Sequence, residues 1–294
     1  VILIDYPGFN MWLCHQAKKF GIPTVFNFPP SKFADSPDKV RDAARSISVV
    51  AANFQCTYDI YKQANANVEF VGHPLVDYAK PELTPEQTCA KYGLAPNRPI
   101  IALCPGSRKS ELDEILPTML GAAKIIYKKH PEYQFIVPVV ATEGPEVFGV
   151  KKTELRKLLK DTGLPIVLAE GRIYDIMNAA KLLLICSGTA TLEGAFVGTP
   201  MIICYKVSFF TELQARLFYK LPEFIGLPNI ILKRQAAPEL LQHDCTPESV
   251  AEKSFQLLEN KDVYGFDLDN LFSTSLEECM PKIDAHVISL DKEE

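Results

Sequence analysis

No stretch of this sequence reaches the ~20 consecutive apolar residues that a helix needs to cross a bilayer, although 47% of its residues are hydrophobic. Nor is there a surplus of positive charge. The 31 Lys and Arg stand against 36 Asp and Glu, and a formal net charge of −5 argues against a general nucleic-acid binder. The eight cysteines (Cys14, Cys56, Cys89, Cys104, Cys186, Cys204, Cys245, Cys279) never form a CxxC pair, and several fall inside apolar strands, where a free thiol acts as a small hydrophobe. That pattern predicts a reducing compartment and no zinc site. No internal repeat of fixed period is present. The chain opens at Val1 within an apparent strand, with no initiating Met and no targeting segment, so the expectation is that its natural N-terminal part is lacking.

What is there is a 294-residue α/β pattern, long enough for two domains. Val1 to Asp5 is an apolar strand, 9–20 has helical periodicity, and the next strand is 24–27, a βαβ succession. A Pro-rich loop (28–38), helices at 40–46 and 55–63 and strands at 47–51 and 68–71 complete this part. Residues 79–99, with four prolines and one helical stretch at 85–92, read as a linker. Strands at 100–104, 133–137, 165–168, 182–186 and 201–204 then alternate with helices, which predicts a doubly wound parallel sheet. The aromatic and cationic run 205–221 suits interior packing or a membrane-surface contact. A loop is expected from Leu227, a short helix at 238–242 and another at 246–259. The domains expected are therefore 1–78, a linker 79–99, a second domain 100–260 and a tail 261–294 returning to the first.

Two strand–loop–helix junctions carry chemistry. At Leu182 to Ile203, the small-residue loop Ser187-Gly188-Thr189-Ala190 opens onto a helix start, where unpaired N–H groups and the helix dipole favour an anion. Ser187, Thr189 and Thr191 add hydroxyls, Gly188 permits close backbone approach, and Glu193 can accept from sugar hydroxyls. At Pro105-Gly106-Ser107-Arg108 a second Gly-containing loop meets a helix, with a guanidinium suited to phosphate. Asp5 ends the first strand, on the side of such sheets where ligands bind. His73 reads as a structural turn residue or, less simply, a catalyst.

The segments IDYPGFNM (Ile4 to Met11), FVGHPLVD (Phe70 to Asp77), LCPGSRKSE (Leu103 to Glu111), CSGTATLEGAFVGTPM (Cys186 to Met201), GLPNI (Gly226 to Ile230) and ELLQHDCTPE (Glu239 to Glu248) together resemble the lipid-A-disaccharide synthase family of glycosyltransferases. They stand in that family's order over most of the chain. The resemblance implies a GT-B-like fold of two Rossmann-like parallel-sheet domains, the first incomplete here. It implies an inverting hexosyltransferase that joins UDP-2,3-diacylglucosamine to 2,3-diacylglucosamine 1-phosphate and releases UDP, with no obligatory metal and no cofactor. By the same resemblance Asp5 is the general base. Gly106, Ser107, Arg108, Ser187, Gly188, Thr189, Glu193, Asn229, Glu239 and Gln242 belong to the UDP-sugar site. The implied setting is cytoplasmic and peripheral to the inner membrane of a bacterium with a lipid A outer membrane. The implied partners are the acylated donor and acceptor and a membrane surface, no nucleic acid, with room for a homodimer.

The departures from the family pattern fall on the acceptor side. Gly8 replaces a second aspartate, Pro30-Ser31-Lys32-Phe33-Ala34-Asp35 stands where the family has an aromatic SP-x-x-WAW segment, Asn53-Phe54-Gln55 stands for PFE, and a glycine-rich N-terminal loop is absent. Two alternatives stay open: a truncated or non-catalytic nucleotide-sugar-binding homologue, and a UDP-sugar 2-epimerase of the same fold.

Overall fold

The computed structural model describes residues 1–30, 36–139, 144–207 and 223–259. The chain divides into two compact units after Tyr78. Phe33-Ala34-Asp35, most of the 205–221 run and the tail 261–294 lie outside the described residues.

The first unit holds a parallel sheet in the order β1 (Ile2–Ile4), β2 (Val25–Asn27), β3 (Val49–Ala52), β4 (Val68–Phe70). Its crossovers are α1 (Pro7–Lys19), α2 (Pro37–Ser46) and α3 (Gln55–Gln63), and α4 (Leu75–Tyr78) closes the unit. Proline in the first turn of α1 and α2 costs no hydrogen bond there and presets φ. Leu3, Met11, Cys14, Phe26, Ala43, Val50 and Tyr61 pack into one core on the helical face.

In the second unit the segment read as a linker is tied in. Helix α5 (Pro85–Tyr92) starts with a Thr84–Gln87 capping box, and buried Asp175 accepts from the N–H groups of Glu82 (2.7 Å) and Leu83 (3.0 Å). The sheet comprises β5 (Ile100–Cys104), β6 (Gln134–Val139), β9 (Ile166–Glu170), β10 (Leu182–Cys186), β11 (Met201–Tyr205) and β12 (Glu239–Leu241). All pairs are parallel, in the order β12-β11-β10-β5-β6-β9. The chain leaves β5 in one direction and returns to β10 on its other side. That reversal is a topological switch point, and ligands bind outside the carboxyl ends of the strands there. The connecting helices are α6 (Lys109–Lys129), α7 (Lys152–Asp161), α8 (Ile173–Ala179), α9 (Thr189–Val197), α10 (Leu227–Leu232) and α11 (Pro247–Glu259).

Two local expectations are corrected, and one element is new. Leu227 to Asn229 begins helix α10 rather than a loop, with Pro228 in its first turn. Residues 239–241 form edge strand β12 rather than a helix, because pairing with β11 (Ile203 N–H to Pro238 O, 2.9 Å) outweighs local propensity. A hairpin of β7 (Glu146–Val147) and β8 (Val150–Lys151) was not anticipated.

Candidate functional site

At the switch point of the second unit lies a cavity of about 430 Å³. The loops after β5 and β10 supply Gly106, Ser107, Arg108, Ser187, Gly188 and Thr189 to its wall, and Glu193 joins them from α9. Seven of the ten residues expected at the donor site thus converge on one space, from loops about 80 residues apart in sequence.

The two loops differ in what they offer an anion. Glu111, in the first turn of α6, accepts from the N–H groups of Ser107 (2.7 Å) and Arg108 (3.2 Å), so this helix start is already capped by the chain's own carboxylate. Gly106 is required there: its φ is +121°, and a Cβ would collide with the Glu111 carboxylate. Arg108 itself reaches outward, 79% exposed, with Glu111 Oε1 at 3.5 Å as its loose partner. At α9 the start is open. Gly188 has φ +151°, among the described residues nothing lies near its Cβ position and no side chain caps the helix, and the first N–H groups of a helix lie outside its own ladder. The Ser187 hydroxyl is committed to Ile225 O (2.9 Å) and the Thr191 hydroxyl to Gly188 O (2.7 Å). Of the three hydroxyls predicted as donors, Thr189 alone stays exposed at the cavity.

The cavity also has an apolar lining: Pro138, Val139, Ile173 and Phe148. Phe148 and Gly149 form the two-residue turn between β7 and β8 with φ of +56° and +73°. A left-handed Phe where Asn is usual places a ring in the wall at the expense of local backbone preference. Cys104 and Cys186 also line the cavity, and burial pushes both thiols up to about 12, so they stay neutral. Burial also raises the Glu193 carboxyl, opposed by a hydrogen bond from the Tyr174 hydroxyl at 3.1 Å.

Asn229, Glu239 and Gln242 do not reach this cavity. Asn229 is fully buried; it donates to Ala237 O (2.8 Å) and Glu239 Oε1 (2.7 Å) and accepts from the N–H groups of Ala236 (2.7 Å) and Ala237 (2.9 Å). Glu239 also accepts from the N–H groups of Ile225 (2.9 Å) and Gly226 (3.0 Å), and Gln242 accepts from Val207 N–H (3.0 Å). Through Ile225 the Asn229–Glu239 network ends on Ser187, so these two residues support the β10–α9 loop from behind.

The first unit carries a smaller cavity of about 200 Å³ at the carboxyl ends of β1 to β3, lined by Asp5, Phe28, Pro29, Asn53, Phe54 and Thr57. Asp5, Tyr6 and Phe28 are all left-handed (φ +50°, +45°, +55°). The Asn10 side chain holds the first two by donating to Asp5 O (2.6 Å), and Asn53 Oδ1 takes the N–H of Phe28 (2.8 Å). Strain of this kind, over-determined by its surroundings, is a mark of functional sites. The buried Thr57 hydroxyl has no hydrogen-bond partner among the described residues. His73 packs between the rings of Phe28 and Phe54 (5.2 Å to each), accepts from Leu75 N–H (3.1 Å), and burial pushes it down to about 4, a neutral structural imidazole.

Sequence reasoning did not single out Tyr174, Phe148, Ile173, Asn10 or Thr57 as contributors. Glu111 carried a readable signal, the three-residue spacing of a cap; Tyr174 lies 19 residues from Glu193 and carried none.

Among the described residues no helix is long and apolar enough to cross a membrane. Solved structures of UDP-GlcNAc 2-epimerase share the fold. The enzyme from Neisseria meningitidis, bound to UDP-GlcNAc, has a TM-score of 0.59 at 14% identity over all of this chain and 76% of its own. The one from Methanocaldococcus jannaschii has 0.58 at 13%, over 98% and 76%. Likeness at that level shows the GT-B-like α/β fold alone. In sequence the chain is 38% identical over 258 residues to the lipid-A-disaccharide synthase of Trichlorobacter lovleyi (88% of this chain, 65% of the relative). It is 35% identical over 262 residues to that of Nitrosococcus oceani (89% and 66%). It thus spans about two thirds of the length of these relatives. A family model described as lipid-A-disaccharide synthetase matches residues 1–282. The chain belongs to the lipid-A-disaccharide synthetase family.

Proposed function

We propose that this chain carries the UDP-sugar site of an inverting glycosyltransferase that joins UDP-2,3-diacylglucosamine to 2,3-diacylglucosamine 1-phosphate. The observation that supports it is the single cavity that gathers an uncapped helix start, an outward arginine and a half-buried carboxylate. In this reading the diphosphate lies between the start of α9 and Arg108, the base lies against Ile173 and Phe148, and Glu193 takes ribose hydroxyls. The acceptor 6-hydroxyl oxygen attacks the anomeric carbon from the face opposite the diphosphate, and the C1–O bond to UDP breaks. Asp5 removes the hydroxyl proton. The charge that appears on UDP is met by the Arg108 guanidinium and the N–H groups of α9, placed before the reaction begins. Acylated substrates require the working protein to meet a lipid surface, which supports a membrane-peripheral setting.

The test is to incubate the chain, alone and with the N-terminal portion of a full-length relative restored, with both acylated substrates and measure disaccharide and UDP. Product from either form supports the reading. UDP binding without product from either favours the non-catalytic homologue, and no UDP binding refutes the cavity assignment.

A further inference from the structure

Glu193 is the fifth residue of α9 and faces the cavity; Tyr174 is the second residue of α8, which packs beside α9. The Tyr174 hydroxyl donates to Glu193 Oε1 at 3.1 Å, and among the described residues no donor reaches Oε2. A carboxylate on a short helix has several rotamers, and a single fixed oxygen removes most of that freedom. Its second oxygen is then presented in one direction. We infer that Tyr174 is a positioning residue for ribose selection, holding Glu193 so that its free oxygen accepts from the 2′- or 3′-hydroxyl of a bound ribonucleotide.

This inference rests on the donor-cavity reading above and adds to it a second residue, on a different helix, and a substrate distinction between ribo- and deoxyribonucleotides. The titratable groups near Glu193 are Tyr174 from α8 and Cys104 from β5, with Arg108 and Glu111 lining the same cavity; Arg172, just before α8, acts on Tyr174. Tyr174 is the one that donates to Glu193 directly. Burial raises the Glu193 carboxyl and the Tyr174 bond opposes that rise. Loss of the hydroxyl therefore moves protonation of Glu193 closer to neutral pH.

The experiment compares UDP with 2′,3′-dideoxyuridine 5′-diphosphate by calorimetry on the full chain, for the native protein, Tyr174→Phe, Glu193→Ala, Glu193→Asp and the Tyr174→Phe/Glu193→Ala double variant. The native chain is expected to prefer UDP about tenfold, equivalent to about 1.4 kcal/mol. Tyr174→Phe should cut the preference to about threefold, and the loss should deepen as pH falls from 7.5 to 5.5 more steeply than in the native chain. Glu193→Ala should remove the preference, and Tyr174→Phe should then have no further effect. Glu193→Asp, which keeps the hydroxyl but withdraws the carboxylate by one methylene, should lose the preference as well. If Tyr174→Phe weakens both nucleotides equally, or acts as strongly without Glu193 as with it, Tyr174 is merely structural and the inference fails. Tight UDP binding by the native chain with no ribose preference also overturns it while leaving the donor cavity intact. Absence of UDP binding removes both.

Discussion

Replacing Asn229 by Ala separates a ligand-contacting role from a supporting one. In the native chain its side chain satisfies two backbone N–H groups, one carbonyl and one carboxylate oxygen, all at 2.7–2.9 Å and fully buried. Alanine leaves the N–H groups of Ala236 and Ala237 without an acceptor and takes a donor from Glu239. An unsatisfied buried donor costs about 1–3 kcal/mol, so two of them cost about 3 kcal/mol after partial relaxation. For a unit of this size that lowers the unfolding midpoint by about 6–12 °C. Asn229→Asp should be no milder, since it keeps the acceptor but sets a second carboxylate against Glu239, now 2.7 Å from the amide. Because the network reaches Ser187 through Ile225, UDP affinity should fall too, but only in step with the loss of order in that loop. Thermal unfolding of the native and variant chains, with and without saturating UDP, reads both effects. An unchanged midpoint together with UDP affinity reduced tenfold or more would refute the argument and return Asn229 to direct contact with the ligand.

Arg108→Ala should weaken UDP binding about 10–100-fold with almost no change in stability, because a charge-assisted contact is lost from a side chain that is 79% exposed; unchanged affinity in calorimetry would exclude the guanidinium from the phosphate site. Thr57→Val should raise the first unit's stability by about 1 kcal/mol, since the buried hydroxyl has no partner among the described residues; a clear drop in the unfolding midpoint would mean that the hydroxyl is satisfied. His73 gives a signed pH dependence. Its folded value, about 4, lies below the ordinary 6.5, so the unfolded chain takes up the proton first as pH falls. Stability is level above pH 6.5 and declines towards pH 4, by about 3 kcal/mol in all. Asn at position 73 can still accept from Leu75 N–H, so His73→Asn should flatten that slope by one proton, and an unaltered slope would refute the assignment.

Periodicity and turn chemistry made most of the fold legible. Apolar runs such as 182–186 and 201–204 announced strands covered on both faces, and the alternation of strands with helices announced a parallel sheet. The two strand–loop–helix junctions could be read as anion sites because a helix start offers donors whatever surrounds it. The residues 227–229 and 238–242 were misread because Pro there is compatible with either outcome; at 239–241 the choice fell to pairing with β11, a partner more than 30 residues away.

The amino-acid sequence by itself determined the architecture, the family and the loops that end at the cavity, since these follow from local spacing and from motifs contiguous in the chain. The tertiary structure alone decided which of those groups remain available. Glu111 occupies the backbone donors of the Gly106–Arg108 loop, Ile225 takes the Ser187 hydroxyl, and Asn229 and Glu239 are closed into a support behind the site. The physical reason is that a hydrogen-bonding group is free or committed only by virtue of what the fold places within 3 Å of it, and for Tyr174 and Glu193 that neighbour comes from another helix.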